Sequence, residues 1–220
     1  MYKISPSSIN LMLECPRCFY LQIVKGIKRP ETVFPSLPSG MDKILKEHFD
    51  RFMKKNELPL EIREECKEYS LFNDKNLLDL WRNNRKGLEY KDPESGILLH
   101  GAIDNLLVKD GKLVVLDYKT RGFPLKEDTH EHYQTQMDLY NFLLRKNGYK
   151  TEDYTYLLFY YPKEVLETGE VIFDTKLIKI KTSAENGEKI FKKAVDVIKG
   201  SIPECSEECG FCKMGGGNES

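Results

Sequence analysis

The hydrophobic pattern is organised around the stretch from Gly101 to Thr120, GAIDNLLVKDGKLVVLDYKT. Two apolar runs flank Lys109-Asp110-Gly111-Lys112, and an Asp-Gly pair between such runs signals a β-hairpin. A two-residue turn pairs Lys109 with Lys112 and sets Asp104 across from Asp117. At period two, Ala102, Asp104, Leu106 and Val108 share a face with Leu113, Val115, Asp117 and Lys119. Ile103, Leu107, Val114, Leu116 and Tyr118 take the other face, so both faces are expected to be buried.

The remaining pattern predicts helices and strands in a mixed order. Ser5 caps a helix entered through Pro6, with Ile9, Met12 and Leu13 as its apolar stripe. A second helix starts at Pro16 and ends at Gly26. The proline-bearing stretch 29–40 reads as a loop, followed by a helix from about Gly40 to Lys55 with Ile44, Phe49 and Phe52 inward. From Asn56 to Lys91 the chain is polar and helical in character, anchored by Leu77, Leu80 and Trp81. A helix from about Thr129 to Asn147 stops at Gly148. Tyr154–Tyr161 and Val171–Lys181 read as strands, rich in aromatic and β-branched residues. Ala184–Lys199 is an amphipathic helix with Ile190, Phe191, Ala194, Val197 and Ile198 inward, ended by Gly200.

Two carboxylates and a lysine on one face of an apolar hairpin need an explanation. Opposed Cβ atoms lie about 4.5–5.5 Å apart, and like charges there destabilise the pair. At an effective dielectric near 20, the repulsion is on the order of 3 kcal/mol. A divalent cation between the acids reverses that sign, and oxygen ligands of this kind suit Mg²⁺. The plainer reading is two solvated acids on a strand edge.

Composition changes this picture little. With 40% hydrophobic and 31% charged residues, the 220-residue chain is ordinary for a soluble globular protein. One domain, 1–220, is expected. A net charge of −1 gives no global case for nucleic-acid binding, so any such role must rest on a local basic stripe. No apolar run is long enough to span a bilayer, and MYKISPSSIN lacks the regions of a secretory signal, so a cytoplasmic location is the default.

The six cysteines matter more. Their clustering points to a metal site rather than disulfides. Cys15, Cys18, Cys205, Cys209 and Cys212 are candidates for four ligand places, while Cys66 stands alone. One closure joins Cys15 to Cys205, Cys209 and Cys212; the other joins Cys15-x-x-Cys18 to Cys209-x-x-Cys212 and suits zinc or a cluster. The second is preferred. Either way, residues 1–28 and 201–214 would be stapled together.

Asp104 followed by Asp117-Tyr118-Lys119 resembles the D…(D/E)-x-K signature of the PD-(D/E)xK nuclease superfamily. GAIDNLLV and VVLDYKT look most like its RecB-type branch, which includes CRISPR adaptation nucleases. SPSSINLMLECPRCFYL is similar to the S-x-S…C-P-R-x-(F/Y)-x-L start of its iron–sulfur members, and Gln136 with Tyr140 matches the Q-x-x-x-Y that follows D-x-K. The resemblance implies a restriction-endonuclease-like α/β core: a mixed central sheet flanked by helices, with the termini joined by a [4Fe–4S] cluster or Zn²⁺. It implies Mg²⁺ or Mn²⁺ held by Asp104 and Asp117, with His48 and the Tyr118 carbonyl as further ligands. Lys119 would then act in catalysis, and Gln136 and Tyr140 would position the strand. The activity implied is exonuclease action on single-stranded DNA or DNA ends, beside helicase or CRISPR adaptation partners and without a membrane. The tail spacing C-x3-C-x2-C, with no cysteine beyond Cys212, departs from the iron–sulfur pattern. The rival readings are a non-catalytic DNA- or partner-binding member of the fold, and a zinc-ribbon-like interaction protein with incidental acids.

Overall fold

The structure is a computed structural model and describes residues 1–30 and 36–213. Residues 31–35 of the expected loop, and the tail from 214 onward, lie outside the described residues.

The organising element is the predicted hairpin, β5 (Asn105–Lys109) and β6 (Lys112–Thr120). Asp110 and Gly111 both take positive φ, 49° and 73°, the requirement of the tight turn whose twist matches its strands. The register is the expected one, from Lys109 opposite Lys112 to Asn105 opposite Leu116. Beyond Asn105 the ladder stops. There the Asp104 side chain takes over, its Oδ2 accepting the Tyr118 N–H at 3.1 Å.

Around the hairpin the chain builds a five-stranded mixed sheet in the order β2-β5-β6-β7-β8. Its outer strands are β2 (Ser70–Leu71) and β8 (Val171–Lys181), and β7 (Tyr154–Val165) lies parallel to β6. A parallel partner demands a crossover, supplied by a 3₁₀ turn (Thr129–Tyr133) and α6 (Gln134–Lys146). The five-stranded sheet is the expected mixed central sheet, and among the described residues a second, smaller sheet stands beside it. The smaller runs β1-β4-β3, with β1 (Lys3–Ile4), β3 (Leu88–Lys91) and β4 (Leu98–Gly101).

Both hairpin faces are buried. Leu106, Leu113 and Val115 pack with α6, with α1 (Pro6–Glu14) and with α7 (Ala184–Lys199). Leu107, Val114, Leu116 and Tyr118 pack beneath α3 (Ser36–Lys55) with Leu45, Phe49 and Met53. Ile103 joins the first core rather than the second, because residues 102–104 have left the strand and its alternation. At the α6–α7 crossing, a Cβ on Gly187 would stand 2.5 Å from the Asp138 carbonyl oxygen, so only glycine allows this approach.

Several expected positions move. α3 starts at Ser36, not Gly40, and its buried stripe is Leu45, Phe49 and Met53, leaving Ile44 exposed. Leu13 is exposed as well, and Ser8 is buried in its place, closing a capping box with Ser5. The stretch from Asn56 to Lys91 holds β2 and β3 beside two short helices, α4 (Leu60–Arg63) and α5 (Lys75–Trp81). On α5 it is Leu78 that is buried and Leu80 that is exposed. Trp81 is the expected buried anchor, stacked on Phe72. Among the described residues no helix is long and apolar enough to cross a membrane.

Candidate active site and cysteine cluster

Where the hairpin ladder ends, a cleft of about 570 Å³ opens. Asp104, Asp117, Lys119, Gln136 and Tyr140 all line it, so the structure brings these five expected residues together. Period two puts Asp117 and Lys119 on the α6 side of β6. The crossover helix places Gln136 and Tyr140, one turn apart, above them.

The polar groups form a continuous chain. Lys119 Nζ donates to Gln136 Oε1 at 3.0 Å, and Gln136 Nε2 donates to the Tyr140 hydroxyl at 2.8 Å. The ammonium also sits 4.7 Å from the centre of the Tyr133 ring. With Asp117 as its third contact, Lys119 is held from three sides. A Cβ on Gly101 would lie 2.8 Å from the Tyr140 ring, so glycine at the end of β4 is what lets Tyr140 reach the cleft.

Asp117 is the most constrained group. Its side chain is 2% exposed, and Lys119 Nζ is 2.5 Å from Oδ2. That contact lies off the hydrogen-bonding direction, so among the described residues this buried oxygen receives no aligned donor. Burial pushes the Asp117 carboxyl up to about 7, against the pull of Lys119. Burial alone would lower Lys119, but Asp117 and Asp104 raise it and keep it charged.

Two cleft residues were not legible as site residues. Asp42 and Lys46, four apart on α3, also face the acids. Lys46 Nζ is 2.8 Å from Asp42 Oδ2 and 3.1 Å from Asp104 Oδ1. The facing acids of the hairpin are therefore each matched by an ammonium, Asp104 by Lys46 and Asp117 by Lys119. His48 is not brought to them. It follows Lys46 by two positions, about 200° around the helix. Its Nε2 is 2.9 Å from Glu61 Oε1, in a separate cleft with Arg51 and Tyr160. The Tyr118 ring lies in the second core, its hydroxyl accepting from Asn105 Nδ2 at 2.7 Å, so a role as ligand falls to its carbonyl alone.

These residues fit a hard divalent cation. The donors are carboxylate oxygens, which suit such an ion, and one of them is buried without an aligned partner. The family model described as PD-(D/E)XK nuclease superfamily matches residues 39–215, most of the chain. The chain belongs to the PD-(D/E)XK nuclease superfamily. No curated protein matches it. The matched span holds Asp42, the hairpin acids, Lys119 and α6, so the superfamily resemblance and the cleft coincide. Superfamily membership supports a nuclease-type, hydrolytic function and contact with DNA.

Only half of the second site lies in that span. Cys15 caps α1 at its C-terminus and starts α2 (Pro16–Tyr20), which turns Cys15 and Cys18 to one side. They meet Cys209 and Cys212 from the tail, and all four sulfurs lie within 4.8 Å of one another. Of the two closures, the pairing of two C-x-x-C segments is the one assembled. Cys205 is exposed and not in this group. Burial would raise the Cys15 thiol, but the backbone N–H groups of Ser206 and Cys18 bring it down to about 6. Burial pushes Cys18 up to about 11, despite the nearby Arg29 guanidinium. Cys66 is buried alone in the second core, its thiol pushed up to about 12, as befits a packing residue.

Proposed function

We propose that the chain is one nuclease domain that hydrolyses DNA phosphodiester bonds, acting on single strands or ends with Mg²⁺ or Mn²⁺. The observation that carries this is Asp117: a buried carboxylate lacking an aligned donor, beside Asp104 and a lysine clamped by Gln136 and Tyr133. Asp42, Asp104 and Asp117 would hold the ion, with the Tyr118 carbonyl as a further oxygen; Asp42 takes the place expected of His48. When bound, the ion would polarise the phosphate and acidify an attacking water.

The chain's own groups do the rest. Lys119 presents a fixed ammonium to charge developing on the phosphate, and its three supports mean that little reorganisation is needed. Gln136 and Tyr140 keep that ammonium aimed into the cleft. The likeness to RecB-type nucleases supports action on strands and ends, in DNA repair, recombination or CRISPR adaptation, beside helicase or adaptation proteins.

At the second site three sulfur separations of 3.6–3.8 Å, with all four sulfurs within 4.8 Å, support a single tetrahedral ion. Zinc–sulfur bonds of about 2.3 Å in a tetrahedron set sulfurs close to 3.8 Å apart. A four-iron cluster interposes iron and sulfide and spreads its cysteines further. We therefore assign Zn²⁺ there, in a structural role.

The test is Mn²⁺-dependent degradation of end-labelled single-stranded DNA. Asp117→Ala and Lys119→Ala should each abolish it while leaving folding intact by circular dichroism; activity equal to the parent protein would refute the reading. Metal analysis should give one zinc per chain. A brown protein absorbing near ~400 nm would point to iron–sulfur instead.

A further inference from the structure

We propose that Lys46 is a resident counter-ion that competes with the divalent cation for Asp42 and Asp104 and is handed to a DNA phosphate when the cation binds. Metal and DNA would then bind cooperatively. This rests on the nuclease reading above, and goes beyond it in assigning a regulatory role to a residue outside the D…D-x-K signature.

The geometry is specific. Lys46 Nζ bridges Asp42 Oδ2 at 2.8 Å and Asp104 Oδ1 at 3.1 Å, with its side chain only 19% exposed. A divalent ion taken up by the same two carboxylates places positive charge beside positive charge, and one of the two must move. The ion is held by several oxygens, whereas the ammonium ends a flexible four-carbon stem and can swing away. Its nearest new partner would be an anion entering the cleft.

Charge balance gives the same result. Asp42, Asp104 and Asp117 against Lys46 and Lys119 leave the cleft at −1 when all are ionised. One divalent ion turns this to +1, and one phosphodiester returns it to zero. Each ligand therefore improves the site for the other, and the coupling is reciprocal. Lys119 cannot share this role, because Gln136 and the Tyr133 ring hold it in place.

The experiment measures Mn²⁺ affinity of the full chain by electron paramagnetic resonance, with and without a nuclease-resistant phosphorothioate single strand. In the parent protein the strand should tighten Mn²⁺ binding about tenfold or more. Lys46→Met should bind Mn²⁺ about tenfold more tightly without DNA and lose most of the DNA effect. Lys46→Arg should behave like the parent, and Lys46→Gln should follow Lys46→Met if the methionine variant folds poorly. Unchanged or weaker Mn²⁺ binding by the folded neutral variants would overturn the proposal. Asp104→Asn separates the two ideas. If it fails to weaken Mn²⁺ binding, the cation reading itself falls. If it weakens binding while the neutral Lys46 variants do not strengthen it, only the role of Lys46 falls.

Discussion

The acid cleft and the cysteine cluster are both sets of metal-type ligands, yet they are held together in opposite ways. Asp117 stands on a strand of fixed register, Asp104 just before its partner strand and Asp42 on a long helix, with two lysines offsetting most of their charge. Two packed cores lie above and below. The cysteines come from two short helices and an irregular tail, and among the described residues Leu11 and Phe211 are the other hydrophobic side chains packed against them. Arg29 reaches in to donate to Cys209 at 3.2 Å, and backbone N–H groups of Ser206 and Cys18 stabilise Cys15, so polar contacts rather than a packed core surround the four sulfurs. On the proposed reading, the first site is built before its ion arrives and the second is built by its ion. A reagent ion would then leave the first site without cost to the fold, whereas a structural ion would not leave the second.

The largest expected effect breaks or confirms that contrast directly. Replacing Cys209 and Cys212 together by serine should lower the melting temperature by at least ~10 °C, since structural zinc contributes folding energy outright. Asp104→Asn should shift it by no more than a degree or two. Equal melting of both variants in a thermal scan would erase the distinction.

Gly101→Ala comes next. The added Cβ collides with Tyr140 and Leu143, which should cost about 1–3 kcal/mol in denaturant unfolding. It should also cut DNA cleavage sharply through Gln136 and Lys119, with zinc content unchanged. A variant as active as the parent would show that the Tyr140–Gln136 support is dispensable.

The third prediction concerns pH. The folded Asp117 carboxyl lies near 7, above its ordinary value of 3.8. The folded state thus retains a proton that the unfolded chain releases, and metal-free stability should fall as pH rises from about 4 to 7, on the order of 1 kcal/mol per unit. Asp117→Asn should lack that fall, and Mn²⁺ should reduce it in the parent. Chemical denaturation at pH 5 and pH 8 measures both.

The smallest effect is that of Tyr140→Phe. It removes one acceptor from Gln136 and should cost about 1 kcal/mol of stability, with a several-fold loss of cleavage. A loss as large as that of Lys119→Ala would mean that the hydroxyl itself touches substrate.

The parts of this molecule legible in its sequence are those governed by local rules. Asp110-Gly111 fixes its own turn, and from it the register that pairs Asn105 with Leu116 follows by counting. Ala184–Lys199 is bounded by Ser183 as cap and Gly200 as stop, and it forms over that range. Gln136 and Tyr140 reach the acids because a parallel strand after β6 requires a crossover.

What was missed depends on contacts far along the chain. Strands of two to four residues such as β1, β2 and β4 carry too little alternation to be read alone. Asp42 and Lys46 lie about 60 residues before Asp104, and only the rotation of α3 decides that they, rather than His48, meet it. Their spacing of four was the available signal. Tyr133 comes beneath Lys119 only through the 3₁₀ turn before α6.

The cysteine pairing has a consequence for biosynthesis. Cys15 and Cys212 stand 197 positions apart, so translation delivers one pair of thiols long before the other. At roughly 5–20 residues per second, the early pair waits on the order of 10–40 s on the ribosome. Until then Cys15 and Cys18 are exposed to stray oxidants and to any scavenging chaperone, and a nascent chain that stalls before Cys209 cannot lock its ends. With the proposed ion in the clasp, its capture would be a checkpoint late in synthesis, passed only by chains carried through to both halves.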